Sequence, residues 1–194
     1  MRIGLFGGTF DPIHRAHIAV AAAARERFGL DYVLLVPAGN PPHKNHQITA
    51  SYAHRLCMVQ LACAAHEGLI ASDLESGAGR SYSINTIERL RLTLAEDDEL
   101  FFVIGADAFA DLHTWYRWRE VARLVEFIVV TRPGHRYETP EGVRAHALET
   151  IAMNVSSSAI RESLGRGQPP ADVPDAVAEY ITEKGLYQAT PAKQ

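Results

Sequence analysis

The chain has 194 residues, of which 47% are hydrophobic and 22% are charged, and its formal net charge is −4. This length and composition are typical of one soluble domain, which we place at residues 1–188, with a polar tail at 189–194. The negative charge disfavours a general nucleic-acid-binding protein, because any basic site must then be local. No apolar run approaches the ~20 residues that a membrane span requires, and the chain opens on a strand rather than a signal peptide. We therefore expect a cytoplasmic protein that binds neither nucleic acid nor membrane.

The first predicted elements form a βαβ unit. Residues 3–6 are apolar enough for a short buried strand, and a glycine pair follows. A helix is then predicted to open near Asp11, with the Asp11 side chain as its cap and Pro12 in its first turn. The alanine-rich stretch continues this helix to Gly29, a residue type that commonly ends helices. The β-branched and aliphatic run at 32–36 completes the unit as a strand buried on both faces.

Strands and helices continue to alternate along the rest of the chain. A loop without periodicity covers residues 37–50, and loops of that length are usually functional or mobile. Apolar runs and apolar periodicity then predict, in order, a helix at 51–66, a weak strand at 69–71, a helix capped by Ser81 or Ser83 and continuing through Leu94, strands at 100–104, 126–131 and 150–155, and helices after Ser156 and before Gly185. This alternation predicts an α/β fold, a doubly wound parallel sheet with right-handed crossovers.

The junction between the first strand and the first helix has the features of an anion site. Gly7 and Gly8 lack side chains where the backbone turns tightly or a ligand approaches closely. The first N–H groups of a helix are unpaired and point outward, which favours phosphate. His14 and His17 are three residues apart and share one helical face, so both can donate hydrogen bonds to phosphate oxygens. They would carry charge there if phosphate raises their pKa. The pattern suits the binding of a polyphosphate.

The residue types alone leave two other interpretations of this junction open. Two histidines at this spacing could ligate a metal, although no third ligand lies nearby in the sequence. The junction could also be an ordinary tight turn with two surface histidines. It contains neither the glycine pattern of dinucleotide-binding proteins nor the lysine of a Walker loop.

Two later positions also have the features of ligand sites. Asp107 follows the most apolar strand, and ligands of open parallel sheets bind beyond the carboxyl ends of strands, so it could contact a ribose hydroxyl or the shell of a magnesium ion. Ser156, Ser157 and Ser158 stand where a strand is predicted to meet a helix, with Arg161 one turn further on. These residues predict a second anion site, although a serine run there could simply cap the helix.

The string GGTFDPIHRAH resembles the Gly-Gly-x-Phe-Asp-x-x-His-x-Gly-His signature of the nucleotidylyltransferase superfamily, and is most similar to that of the bacterial nicotinate-nucleotide adenylyltransferases. Four further segments resemble motifs of that family: Pro41–Lys44, Arg80–Thr86, Leu112–Trp118 and Val155–Arg161. The chain departs from the family pattern at Ala16, where glycine is usual, at Asn85, where aspartate is usual, and conservatively at Ser83, Val155 and Ser158.

The resemblance implies a Rossmann-like nucleotidylyltransferase fold and an enzyme of NAD biosynthesis. It would join ATP and nicotinate mononucleotide to give nicotinate adenine dinucleotide and pyrophosphate, by direct in-line attack, with Mg²⁺ accompanying ATP and no metal ligand set of its own. The catalytic residues would be His14, His17, Lys44 and Arg161. Those binding ATP would be Gly7, Gly8, Thr9, Phe10, His17, Gly105, Asp107, Arg132, Ser156, Ser157, Ser158 and Arg161. Those binding nicotinate mononucleotide would be Lys44, Tyr82, Ser83, Asn85, Thr86 and Trp115. A homo-oligomer is left open.

Two rival functions remain at this stage. The first is the same chemistry on a different acceptor, such as phosphopantetheine or a substrate of cytidylyl transfer. The second is a catalytically inactive nucleotide sensor on the same fold. The Arg80–Tyr82 segment and Trp115, whose ring could stack on an aromatic base while Trp118 packs in the core, favour a pyridine mononucleotide. Retention of both histidines, Lys44 and Arg161 disfavours the sensor.

Overall fold

The computed structural model of the chain describes residues 1–40, 48–77, 79–134, 136–150 and 155–188. Its strands are β1 (Arg2–Gly8), β2 (Tyr32–Pro37), β3 (Leu69–Ala71), β4 (Glu99–Gly105), β5 (Glu126–Thr131) and β6 (Ala145–Glu149). Its α-helices are α1 (Arg15–Phe28), α2 (Tyr52–Cys63), α3 (Ser83–Arg91), α4 (Ala106–Ala110), α5 (Trp118–Leu124), α6 (Ser157–Gly165) and α7 (Asp175–Glu183), with a short 3₁₀ helix at Leu112–Thr114.

The strands form one sheet in the order β3-β2-β1-β4-β5-β6, and every neighbouring pair is parallel. One apolar cluster covers the face of the sheet that packs against α1, α2, α6 and α7, and a second covers the face that packs against α3, α4 and α5. The prediction of a doubly wound parallel sheet is therefore confirmed. The chain first builds outward from β1 to β3 and then returns to place β4 on the other side of β1. This reversal creates a crevice beyond the carboxyl ends of β1 and β4.

Several predicted boundaries agree with the structure. Helix α1 ends at Gly29, whose backbone is left-handed with φ +58°, as expected for a glycine that closes a helix. Helix α2 begins after Ser51, whose hydroxyl accepts the backbone N–H of His54 at 3.4 Å. None of the helices in the described parts of the chain has the length and apolarity needed to cross a membrane.

The predicted start of the first helix is wrong. Strand β1 continues through the glycine pair to Gly8, and the turn that follows delays α1 until Arg15, with His14 at the capping position. Asp11 does not cap this helix. Its buried carboxylate instead accepts the backbone N–H groups of Thr49 and Ala50, at 2.7 and 3.1 Å. Partners from a distant part of the chain have replaced the local capping contact.

The last strand of the sheet lies outside the range in which a last strand was predicted. Strand β6 lies at Ala145–Glu149, before the predicted 150–155, and residues 151–154 of that range lie outside the described structure. The strand is easily missed because it is at the edge of the sheet, where only Leu148 is buried. An edge strand that exposes most of its side chains shows no apolar run in the sequence.

Helix α3 differs in both its cap and its length. Tyr82 occupies the capping position, in place of Ser81 or Ser83, and the helix ends at Arg91, short of Leu94. The Ser81 hydroxyl is engaged elsewhere, because it accepts the backbone N–H of Asn40 at 2.8 Å. This contact fixes the first end of the 37–50 loop against the start of α3.

Candidate active site

The candidate site begins in the crevice beyond the ends of β1 and β4. Gly105 ends β4, and a Cβ added there would meet no atom within 4 Å, so the space beyond it is open. Asp107 lies exposed in the first turn of α4 beside that space. Gly8 has a packing reason to be glycine, since a Cβ there would lie 2.9 Å from the ring of Phe10. The same crevice was predicted from strand ends alone.

The signature loop, which we define as residues 9–14, is held by side chains from two other helices. Its backbone is left-handed at Phe10, with φ +49°, and the Phe10 ring is buried. Arg55 of α2 donates to the carbonyl of Thr9 at 2.7 Å. Arg161 of α6 donates to the carbonyl of Asp11, also at 2.7 Å. The loop conformation is therefore fixed by long-range hydrogen bonds rather than by its own sequence.

The two predicted anion sites lie side by side. Ser157, the first residue of α6, donates its hydroxyl to the carbonyl of Pro12 at 3.0 Å. The start of α6 therefore lies against the signature loop, and α1 begins directly after that loop. Two helix N-termini converge on one region, where the positive ends of both helix dipoles favour an anion.

The histidines of the signature stack on each other. The ring centroids of His14 and His17 are 3.6 Å apart, and the ring planes differ by 21°. The backbone N–H of His14 donates to Nδ1 of His17 at 3.2 Å. A neutral His17 must therefore carry its proton on Nε2, the nitrogen that remains to donate to a ligand. Nδ1 of His14 is buried and has no hydrogen-bond partner among the described residues.

Burial keeps both histidines neutral in the free protein. It lowers the pKa of His14 from 6.5 to about 4, against an opposing effect of the Asp172 charge. It also lowers the pKa of His17 well below its usual value, and His14 contributes in the same direction. Both rings can still donate one hydrogen bond each at neutral pH, while an anionic phosphate beside them would favour their charged forms.

The start of α6 combines the two interpretations of the serine run. The Ser156 hydroxyl caps the helix by accepting the N–H of Ala159 at 3.2 Å, which is the structural interpretation. Arg161 reaches the hydroxyl of Ser158 at 3.4 Å in addition to the Asp11 carbonyl. Because a guanidinium has five N–H donors, these two contacts leave Arg161 with capacity to bind phosphate.

A cavity of about 370 Å³ opens between the segment 75–82 and α3. It is lined by Glu75, Gly77, Gly79, Arg80, Ser81, Tyr82, Asn85, Thr86 and Arg89. Three of the residues predicted to bind nicotinate mononucleotide, namely Tyr82, Asn85 and Thr86, therefore line one cavity.

The other predicted acceptor residues are placed differently. Trp115 is half-buried and contacts Phe102 edge to face, with centroids 5.8 Å apart. Trp118 begins α5 and is also half-buried, with the Arg119 guanidinium 4.6 Å above its ring. Neither tryptophan is among the residues that line the cavity, and Ser83 is not among them either.

Some predicted site residues lie apart from these contacts or outside the described structure. Arg132 follows β5 and is exposed. Lys44 falls in the stretch 41–47, which is outside the described residues. The metal interpretation of the histidine pair gains no support, because no group of three or more potential His, Cys, Asp or Glu ligands occurs in the described parts of the chain.

Sequence reasoning missed three residues that support the site. Arg55 is only 1% exposed, and it holds both Thr9 and Ala50. Its position three and four residues before the buried Met58 and Val59 was the signal, since a charged residue on the apolar face of a helix needs a buried partner. Glu75 and Tyr187 gave no comparable signal, because their contacts come from distant segments.

These features define a nucleotidyltransferase of the cytidylyltransferase-like class, whose family model matches residues 5–163. The chain is 49% identical over 187 residues to a probable nicotinate-nucleotide adenylyltransferase of Solibacter usitatus, covering 96% of this chain and 100% of that protein. It is 37% identical over 218 residues to the probable nicotinate-nucleotide adenylyltransferase of Desulfatibacillum aliphaticivorans, with 96% and 100% covered. The chain belongs to the nicotinate-nucleotide adenylyltransferase family of enzymes, which confirms the resemblance found in its motifs.

Solved structures agree on the fold. The nicotinic acid mononucleotide adenylyltransferase of Plasmodium falciparum, complexed with NaAD, superposes with a TM-score of 0.77 at 18% identity, covering 96% of this chain and 97% of that one. The same enzyme complexed with APC superposes with a TM-score of 0.76 at 18% identity, covering 96% of each chain.

Proposed function

We propose that this enzyme transfers the adenylyl group of ATP to nicotinate mononucleotide, giving nicotinate adenine dinucleotide and pyrophosphate. The observation that carries the proposal is the convergence of α1 and α6 on the signature loop, beside the crevice where a doubly wound sheet binds nucleotides. The names of the family members point to the same reaction. The related Plasmodium enzyme has been solved with NaAD, the product that this reaction would form.

The reaction needs alignment more than it needs a protein nucleophile. The phosphate of the mononucleotide is already an anion, and it attacks the α-phosphorus of ATP in line while pyrophosphate leaves on the opposite side. His14 and His17 donate hydrogen bonds to the phosphates as neutral rings, and the adjacent charge then favours their protonation. Arg161, together with Lys44 from the 37–50 loop, binds the phosphates as their negative charge shifts toward pyrophosphate.

A divalent metal ion, which we take to be Mg²⁺, accompanies ATP. In nucleotide enzymes Mg²⁺ is commonly held by one or two carboxylates together with the substrate phosphates, and it neutralises the charge on the leaving group. Asp107 fits this pattern, since it is an exposed carboxylate directly after β4. The described residues offer no larger ligand set, so the phosphates would supply most of the coordination.

The cavity at α3 is the proposed site of the nicotinate ring and its carboxylate. Arg80 and Arg89 line it, and the first turn of α3 contains no acidic residue. Among the described residues no side chain caps this helix, so its first N–H groups are available to an anion. Glu75 is the one carboxylate in the lining, and its oxygens accept the Gly39 N–H at 3.0 Å and the Thr86 hydroxyl at 2.6 Å. Each of its two oxygens therefore already accepts one hydrogen bond from the protein.

Pyrophosphate release tests the proposal. Four reactions would be compared. Three contain enzyme and ATP, with no acceptor, with nicotinate mononucleotide or with phosphopantetheine. The fourth contains enzyme, CTP and a cytidylyl acceptor. We expect release only with ATP and nicotinate mononucleotide. Pyrophosphate release with another acceptor would reassign the substrate. If the protein binds ATP but releases pyrophosphate in none of the reactions, it is a nucleotide sensor.

A matched pair of variants links that activity to the site. Arg161→Ala removes the guanidinium at the signature loop, whereas Arg166→Ala removes an exposed guanidinium just after the same helix. We expect Arg161→Ala to lose most of the acceptor-dependent release and Arg166→Ala to keep it. Equal activity of the two variants would contradict the placement of the phosphates at α6.

A further inference from the structure

The carboxylate of Asp11 connects three separated segments of the chain. Asp11 belongs to the signature loop, yet its side chain is only 1% exposed. Besides the N–H groups of Thr49 and Ala50, it accepts the hydroxyl proton of Tyr187 at 2.7 Å. The first two donors form the second end of the 37–50 loop, and Tyr187 comes from the segment after α7. One buried group therefore ties the second end of the 37–50 loop and the segment after α7 to the signature loop.

A buried carboxylate is costly unless hydrogen bonds and an opposite charge compensate it. Here the three donors occupy its oxygens, and the positive charge of the buried Arg55 guanidinium acts on it through space. Arg55 also donates to the carbonyls of Thr9 and Ala50, at 2.7 and 3.3 Å. Asp11 and Arg55 therefore both connect the signature loop to the second end of the 37–50 loop. Asp11 does so by accepting N–H groups, and Arg55 by donating to carbonyls. A shift of Asp11 would disturb both.

Tyr187 is held in a conformation that its own sequence does not favour. Its φ is +65°, in the left-handed region that residues with a side chain rarely adopt. Such a backbone persists where the surroundings determine it. Tyr187 is half-buried, and its ring packs against the apolar cluster beneath α7. Burial and the neighbouring Asp11 raise the pKa of its hydroxyl, so it remains a proton donor at neutral pH.

We propose that Tyr187 is a positioning residue for adenylyl transfer, which acts by fixing the Asp11 carboxylate between the signature loop and the second end of the 37–50 loop. The proposal rests on the function proposed above, because it assumes that the two segments align ATP with its acceptor. The backbone of Asp11 also accepts Arg161, and His14 lies three residues further along the loop. Movement of Asp11 therefore reaches Arg161 and the signature loop on one side and Thr49 and Ala50 on the other.

The first test removes only the hydroxyl, with Tyr187→Phe. We expect the amide hydrogens of Thr49 and Ala50 to exchange faster, because their acceptor is no longer held. We expect kcat to fall about five- to tenfold, which is less than the roughly 10- to 100-fold that one hydrogen bond to a charged group is worth, because Tyr187 acts on the reaction only through Asp11. The KM for ATP should change less than twofold, since the Tyr187 hydroxyl binds the Asp11 carboxylate and is proposed to align the signature loop rather than to bind the nucleotide. Activity is measured well below the melting temperature, so that the folded fraction is constant.

The matched control is Tyr180→Phe. Tyr180 lies in α7, and its hydroxyl pairs with Nδ1 of His54 at 2.9 Å, without a contact to Asp11. A general loss of stability at this end of the chain would affect both variants alike. We expect Tyr180→Phe to leave kcat and the two amide exchange rates unchanged. Equal effects in the two variants, or unchanged exchange at Thr49 and Ala50 in Tyr187→Phe, would overturn the proposal.

A double-mutant cycle with Asp11→Asn tests the route. If Tyr187 acts through Asp11, adding Tyr187→Phe to Asp11→Asn should lower kcat less than twofold further. An undiminished additional loss would overturn the proposal. Asp11→Asn leaves Arg55 without its charge partner, and if it does not fold, the exchange rates in Tyr187→Phe decide the matter. The exchange rates can be measured without turnover. If the wild-type enzyme made no dinucleotide, the proposed function would be rejected, but the exchange rates would still test the link from Tyr187 to Asp11.

Discussion

His14 gives the clearest quantitative prediction, which concerns stability against acid. His14 has a pKa of about 4 in the folded protein, lowered by burial from the 6.5 that it would have when unfolded. Between these two values the unfolded chain binds more protons than the folded one, so stability falls as pH falls. Above pH 6.5, protonation of His14 does not reduce the free energy of unfolding. This free energy falls progressively as the pH is lowered from 6.5 toward 4. For His14 alone, the loss between pH 7 and pH 5 is roughly 2 kcal/mol.

The variant that isolates this effect is His14→Gln, which keeps a polar side chain but does not titrate. We expect the wild type to lose roughly 2 kcal/mol more unfolding free energy than His14→Gln when pH is lowered from 7 to 5. The pKa of His17 is also lowered by burial, so part of the wild-type acid sensitivity should remain in this variant. His66→Gln is the control, because His66 is exposed and far along the chain from the signature.

Urea denaturation at the two pH values measures the free energies, provided that the slope of each transition is unchanged. The reasoning is refuted if His14→Gln loses as much stability between pH 7 and pH 5 as the wild type does. It is also refuted if His66→Gln removes the same share of the pH dependence.

Three further predictions concern activity. His17→Ala should lower kcat by roughly 10²–10³ with little change in melting temperature, because a donor to transition-state charge is removed; near-normal kcat with a lowered melting temperature would make this histidine structural. Arg161→Lys should recover only part of the kcat/KM lost in Arg161→Ala, since an ammonium cannot replace a planar fork; full recovery would exclude bidentate binding. Nicotinate mononucleotide should be preferred to the nicotinamide form by at least about 10² in kcat/KM, because the uncapped start of α3 and its two neighbouring arginines favour a carboxylate. Equal kinetics for the two mononucleotides at saturating ATP would reject that specificity but not the chemistry.

The sheet could be predicted because its central strands are continuous apolar runs. β4 and β5 are almost entirely buried, and such runs have few alternatives to a parallel sheet covered on both faces. Strand β6 could not be located by the same rule, since at the edge of the sheet only Leu148 of this strand is buried. The position of a strand in the sheet therefore decided how visible it was in the sequence.

The candidate ligand-binding motifs could be recognised in the sequence because the residues of each motif lie close together in the chain. The histidines and the serine run each form a local pattern, and the sheet then brings the two patterns into contact. The supporting contacts are different in kind. Asp11 finds its partners 38, 39 and 176 residues away, so its local context suggested a helix cap that the fold does not use. Of these supporting residues, only Arg55 could have been recognised in the sequence, because it is a charged residue on the apolar face of a predicted helix.

The stereochemistry at the transferred phosphorus tests the central claim most directly. One diastereomer of ATP with sulfur on its α-phosphorus would be incubated with nicotinate mononucleotide, and the configuration of the thio-dinucleotide determined. A single in-line attack by the mononucleotide phosphate, aligned by the signature loop and α6, predicts inversion of configuration. Retention would contradict the account, because it requires two displacements and hence a covalent intermediate on the protein.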